Sequence, residues 1–289
     1  MSEFKVSVII PVYNAEKYLR TAVESAVAIE EVGEVLLIED KSPDNAFELC
    51  LQLEKEYEKV TVYTHPNRAN RGPAASRNLG ISKASFDYIA FLDADDWYLP
   101  NRFVKSKEIF SKYKEVEGVY EATGFYNEIT QSLDTERLTM LKDIVSPEDL
   151  LFTLLKLDRG RFTTDAITFV KSILRKSGVF DESLRLHEDT HLWLRMAQVG
   201  KLVPGKLKEP VAIRRTHAQN TSQHLNKETR SLFHTRTFQW FENQDKVDPR
   251  AYRIIFNRFA ASRKSSILTR LIFIIMYLVK HPQSINKFV

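Results

Sequence analysis

The sequence predicts an α/β protein: a Rossmann-like, mostly parallel central sheet flanked by helices, with a helical C-terminal extension. Three observations predict the sheet. Short β-branched apolar runs alternate with helix-spaced apolar residues through the first third of the chain. The runs are mostly apolar, as strands covered on both faces are. Polar clusters follow the strand ends, where open α/β sheets bind ligands.

The elements follow in order. Val6-Ser7-Val8-Ile9-Ile10 reads as a buried strand ended by Pro11. Leu19, Val23, Ala26 and Val27 recur at helical spacing, with Asn14 as the expected cap. Residues 35–38 form a second strand, and Ser42-Pro43 is expected to cap and open the next helix. Residues 60–63 are a third strand, a helix starts near Gly72-Pro73, and residues 88–92 are a fourth strand. Right-handed βαβ crossovers then place the polar clusters along one edge. The second half is less regular. Strands are expected at residues 117–125, 166–170 and 211–215, and helices at 147–157 and 189–197. The chain is expected to turn helical near Asn226, with a last helical region at 251–279. The polar stretch from His217 to Gln223 marks the expected boundary between a catalytic domain (1–220) and the extension (221–289).

Composition narrows the function. A net charge of +4 over 289 residues shows no concentrated basic character, so nucleic acid is not an expected partner. The single cysteine, Cys50, allows no internal disulfide and no thiolate metal site, which fits a cytoplasmic setting. The first residues do not read as a signal peptide, and no apolar run reaches a membrane span.

The acidic cluster Asp93-Ala94-Asp95-Asp96 carries the chemistry. Three carboxylates in four positions repel one another, and a hard cation such as Mg²⁺ or Mn²⁺ resolves the repulsion. A solvated acidic turn is the plainer alternative. A dehalogenase-type phosphatase also uses Asp-x-Asp after a strand, but on its first strand. Tyr13, after the first strand, offers a ring for a nucleobase. Asp40 can accept from a base or ribose, while the absence of G-x-G-x-x-G after the first strand argues against NAD. Arg77 lies one turn into a helix whose N-terminus favours anions. Glu188-Asp189 opens an amphipathic helix.

In order, these segments resemble the inverting nucleotide-sugar glycosyltransferases of family 2, of GT-A fold. The resemblance rests on Val6 to Asn14, Glu39-Asp40-Lys41-Ser42-Pro43-Asp44, Gly72 to Asn78, Phe91 to Trp97, and Glu188-Asp189. It implies that Pro11, Tyr13 and Asp40 cradle a base, commonly uracil, and that Arg77, Asp93 and Ala94 lie at the nucleotide. It further implies a divalent metal, Mn²⁺ or Mg²⁺, on Asp95, Asp93 and His217, and a donor-sugar contact at Asp96. Asp189 would be the general base, with Glu188 beside it. The family's second motif often reads Asp-Asp-Gly-Ser, so Lys41 departs from it. The implied reaction moves a sugar from a UDP-sugar to a saccharide or lipid-linked acceptor. A sugar-nucleotide pyrophosphorylase and an inactive nucleotide-sugar-binding relative are the alternatives. Residues 271–279 are nine consecutive apolar residues flanked by cations. They are expected to dock on the inner face of the plasma membrane, on the catalytic domain or on a second copy in a homodimer.

Overall fold

A computed structural model describes residues 3–156, 160–217, 226–263 and 267–288. Strands β1 (Val6–Val12), β2 (Val32–Glu39), β3 (Val60–Thr64) and β4 (Tyr88–Phe91) are joined by helices α1 (Leu19–Val27), α2 (Ala46–Glu56) and α3 (Pro73–Lys83). Next come β5 (Trp97–Tyr98), α4 (Val104–Lys112), β6 (Gly118–Tyr120), β7 (Ala122–Asn127), β8 (Ser132–Thr139) and α5 (Pro147–Lys156). They are followed by β9 (Ile167–Val170), α6 (Leu174–Ser177), α7 (Glu188–Val199), β10 (Leu202–Pro204) and β11 (Pro210–Thr216). Helices α8 (Lys227–Glu242), α9 (Pro249–Arg263) and α10 (Ile267–Lys280) close the described chain.

Seven strands form the central sheet, in the order β10-β6-β9-β4-β1-β2-β3. Strands β1 to β4 pair in parallel, as the alternation predicts, and β9 lies antiparallel between β4 and β6. A smaller sheet runs β5-β11-β7-β8. Side chains of β1 alternate between two buried clusters. Val8 and Ile10 join the one with Leu19, Val23 and Cys50, and Ile9 joins the one with Phe91, Phe169 and Trp193. Phe238, Tyr252, Phe256 and Phe259 belong to this second cluster, so α8 and α9 share a core with the sheet.

Four local expectations are corrected. Pro11 does not end β1, which pairs with β2 through Val12. Residues of a strand face their two neighbours alternately. The Ile9 carbonyl accepts from Leu92 on the β4 side and the Val12 carbonyl accepts from Asp40 on the β2 side. Pro11 therefore faces the β4 side, past Phe91, where its missing N–H forfeits no ladder bond. Asn14 does not cap α1; it takes a left-handed conformation (φ 52°) and its N–H donates to Ser42 Oγ. Ser42-Pro43 stays in the loop, and α2 begins at Ala46, whose N–H reaches Asp44 Oδ1 at 3.3 Å. The expected strand at 117–125 is two strands, one in each sheet. The polar stretch 218–225 lies outside the described residues.

Candidate active site

The loops after β1, β2 and β4 share one sheet edge, and two later strands complete it. Strand β9 runs antiparallel to β4, with Ala90 opposite Thr168. The residue just before β9 therefore falls beside the residue just after β4. Asp165 Oδ1 accepts from Asp93 N at 2.9 Å. Strand β11 runs antiparallel to β5, with Ile213 opposite Trp97. Continuing that register brings Arg214 and Arg215 alongside Asp96 and Asp95. Arg215 N donates to Asp96 Oδ1 at 2.7 Å, and Arg215 Nε donates to the Asp95 carbonyl at 3.0 Å. His217 Nε2 then lies 2.9 Å from Asp95 Oδ2. The His217 ring stacks on Tyr18, and the Arg215 guanidinium lies over Tyr18, Trp97 and Tyr126.

The acidic cluster divides by exposure. The Asp93 and Asp95 side chains are 33% and 30% exposed, whereas Asp96 and Asp165 are buried. Oxygens of Asp93, Asp96 and Asp165 lie within 4.8 Å of one another. Burial, then the charge of Asp93, pushes the Asp165 carboxyl up to about 7. Burial, then Asp165, raises Asp96 well above the carboxylate range. Asp165 Oδ2 is buried with no hydrogen-bond partner, and the nearby Arg214 Nε is 4.0 Å away. This excess of negative potential and the oxygen-rich donor set fit a hard cation. The exposed faces belong to Asp93 and Asp95, with His217 beside the latter. Asp96 is buried, and its Oδ1 accepts from the backbone of β11 at Arg215.

Arg77 is buried and ties two regions together. Its NH2 donates to Asp93 Oδ1 at 2.8 Å and its NH1 to Glu188 Oε1 at 2.7 Å. Burial, partly offset by Arg77, raises the Glu188 carboxyl to about 7. Glu188 is thus engaged by Arg77 and positions the start of α7. Asp189, the next residue, is half-buried, and its Oδ1 accepts from Thr190 N at 2.6 Å and from Thr190 Oγ1 at 3.2 Å. Its charge acts on both Arg77 and Arg214. Helix α7 starts sharply because His187 adopts φ 64°.

At the other end of the edge, Tyr13 is 55% exposed, Pro11 is half-buried and Ala94 is buried. The Asp40 carboxylate accepts from Arg71 N at 2.6 Å and Gly72 N at 2.7 Å, and lies 3.6 Å from His65 Nε2. It therefore organises the loop leading into α3. Lys41 adopts φ 60°, the left-handed conformation that glycine takes at lowest cost. Lys41→Gly is expected to raise the unfolding free energy by about 1 kcal/mol, the relief of strain less the entropy of a glycine. Urea denaturation of both proteins measures it; an unchanged or lower midpoint would show that Lys41 is not strained.

Sequence reading missed Asp165, Arg214 and Arg215. The available signal was a carboxylate immediately before an expected strand at 166–170, but it points to Asp93 only once that strand is known to run antiparallel.

Comparison with known proteins follows this geometry. S. aureus TarS 1–349 in complex with UDP-GlcNAc superimposes with a TM-score of 0.64 at 16% identity, over 90% of this chain and 71% of that one. The mannosyltransferase PcManGT from Pyrobaculum calidifontis, in complex with GDP-Man and Mn²⁺, gives 0.58 at 14% identity, over 98% and 83%. The fold is thus the GT-A type. An uncharacterized glycosyltransferase of Rickettsia conorii is 30% identical over 231 residues, 78% of this chain and 35% of that protein. This chain therefore spans about a third of that relative's length. Residues 7–134 match the model of glycosyl transferase family 2, and the chain belongs to that family.

Proposed function

We propose that the protein is a metal-dependent inverting glycosyltransferase that moves a sugar from a UDP-sugar to the hydroxyl of a saccharide or lipid-linked acceptor. The observation that carries this reading is the line of groups along one sheet edge: Tyr13 and the Asp40 loop, then Asp93, Asp95 and His217, then Asp189, joined to Asp93 through Arg77 and Glu188. The UDP-GlcNAc bound by TarS and the GDP-Man bound by PcManGT support a nucleotide-sugar donor, and the Mn²⁺ of the latter supports a metal.

Each residue has a task in this reading. Tyr13 stacks on the base, and the loop that Asp40 holds lies beside it. Asp93, Asp95 and His217 would hold the divalent cation, next to the convergent oxygens of Asp93, Asp96 and Asp165. When bound, the cation supplies Lewis-acid neutralisation of the charge that develops on the leaving diphosphate. Asp189 takes the proton from the acceptor hydroxyl as the hydroxyl oxygen attacks the anomeric carbon from the face opposite the diphosphate. One displacement inverts that carbon, so no covalent nucleophile is required.

Calorimetric titration of UDP tests the reading. Wild type is expected to bind UDP more tightly with Mn²⁺ than with EDTA, and Asp95→Ala to lose that difference. The stabilisation by Mn²⁺ and UDP is expected to be larger at pH 8 than at pH 6, because protons held near Asp165 up to about pH 7 compete with the cation. UDP affinity indifferent to metal in the wild type would sink the metal-dependent reading, and no UDP binding at all would sink the donor.

A further inference from the structure

We propose that α10 docks the protein on an anionic lipid surface, lying in the plane of the headgroups. This inference stands apart from the active-site reading and would hold for any donor.

The helix has two faces. Ile274 and Tyr277 pack toward the core, where the Tyr277 ring meets Phe238 and Phe256. Ile272, Ile275, Met276 and Val279 point away and are between 48% and 75% exposed. Their spacing of three, four and seven residues makes one continuous stripe. Ile285, in the turn that follows, is 47% exposed. Four adjacent large apolar side chains in water call for an occupant. At 14 residues α10 is too short to cross a bilayer, and no helix among the described residues is long and apolar enough to do so.

Charge selects the occupant. Residues 249–289 contain five arginines, three lysines and no aspartate or glutamate, a formal charge of +8. The whole chain carries +4, so residues 1–248 carry −4. The exposed stripe thus sits in the cationic part of an otherwise acidic protein. An anionic leaflet attracts such a segment while its acyl boundary accepts the apolar side chains. A two-fold contact with a second copy would instead set two +8 segments against each other.

Vesicle sedimentation with the full chain tests this. Vesicles of phosphatidylcholine with about one third phosphatidylglycerol are expected to bind it at least about tenfold better than phosphatidylcholine alone, and less well as salt rises. The double variant Ile275→Glu/Val279→Glu, both at exposed positions, is expected to lose about tenfold or more in binding without a change in melting temperature. Arg263→Glu, also exposed, is expected to weaken binding to the anionic vesicles. Absence of binding to anionic vesicles, or equal binding by the double variant, would overturn the proposal. So would a dimer in analytical ultracentrifugation that the double variant dissolves while wild type ignores lipid; that result would assign the face to a second copy.

Discussion

Replacing Asp189 by Asn is expected to lower sugar transfer by roughly 10²–10⁴-fold while leaving UDP affinity within about threefold of wild type. The substitution keeps the shape of the side chain and an oxygen to accept from Thr190, so the first turn of α7 stays in place. In the proposed reaction, what it removes is the carboxylate that takes the acceptor's proton. Calorimetry with UDP and release of UDP from UDP-N-acetylglucosamine with a hydroxyl acceptor separate the two effects. If affinity falls in step with turnover, Asp189 belongs to donor binding and the division of labour is wrong.

The second large effect concerns stability. Arg77→Ala is expected to cost about 3–5 kcal/mol, because it strands Glu188 in a buried position and leaves Asp93 without its cation. Arg77→Lys should recover only part of this, since one ammonium cannot make the two directed contacts that a guanidinium makes to separate carboxylates. Adding Glu188→Gln to Arg77→Ala should restore part of the stability, as the buried uncompensated charge is then gone while the partly exposed Asp93 still lacks its partner, and each change alone destabilises. Chemical denaturation of the four proteins closes this cycle. A loss below about 1 kcal/mol for Arg77→Ala would mean that the carboxylates relax to water and that the arginine is not the tie between Asp93 and α7.

The parts of the fold legible in the sequence were those dictated by local burial. Strands β1, β2 and β4 are largely buried and appear as mostly apolar runs, the edge strand β3 is half-buried beyond Val60, and the helices between them carry apolar residues at helical spacing. Asp40, Asp93 and Asp95 stand out in the sequence because each follows such a strand, and Arg77 because it lies one turn into α3. What was illegible depended on pairing between distant segments. Nothing local in Ile167–Val170 says that it lies antiparallel against β4, and Asp165 reaches Asp93 only because it does. The two-residue strand β5 carries no periodicity, yet its pairing with β11 delivers Arg214 and Arg215 to the acidic turn. The burial of Asp96 and the capture of Glu188 by Arg77 also depend on pairing between distant segments, which no local pattern announces.

Those closures also bear on when the site comes into being. Residues 7–134 match the family and contain the acidic turn, but the groups that complete it come from residues 165, 188 and 214–217. As the chain leaves the ribosome, the first four strands can pair while Asp93, Asp95 and Asp96 still lack those partners, and contacts across such sequence separations form slowly. The cluster is complete only after His217 has emerged. A nascent or truncated chain would thus hold much of the fold's sheet and none of its finished acidic centre.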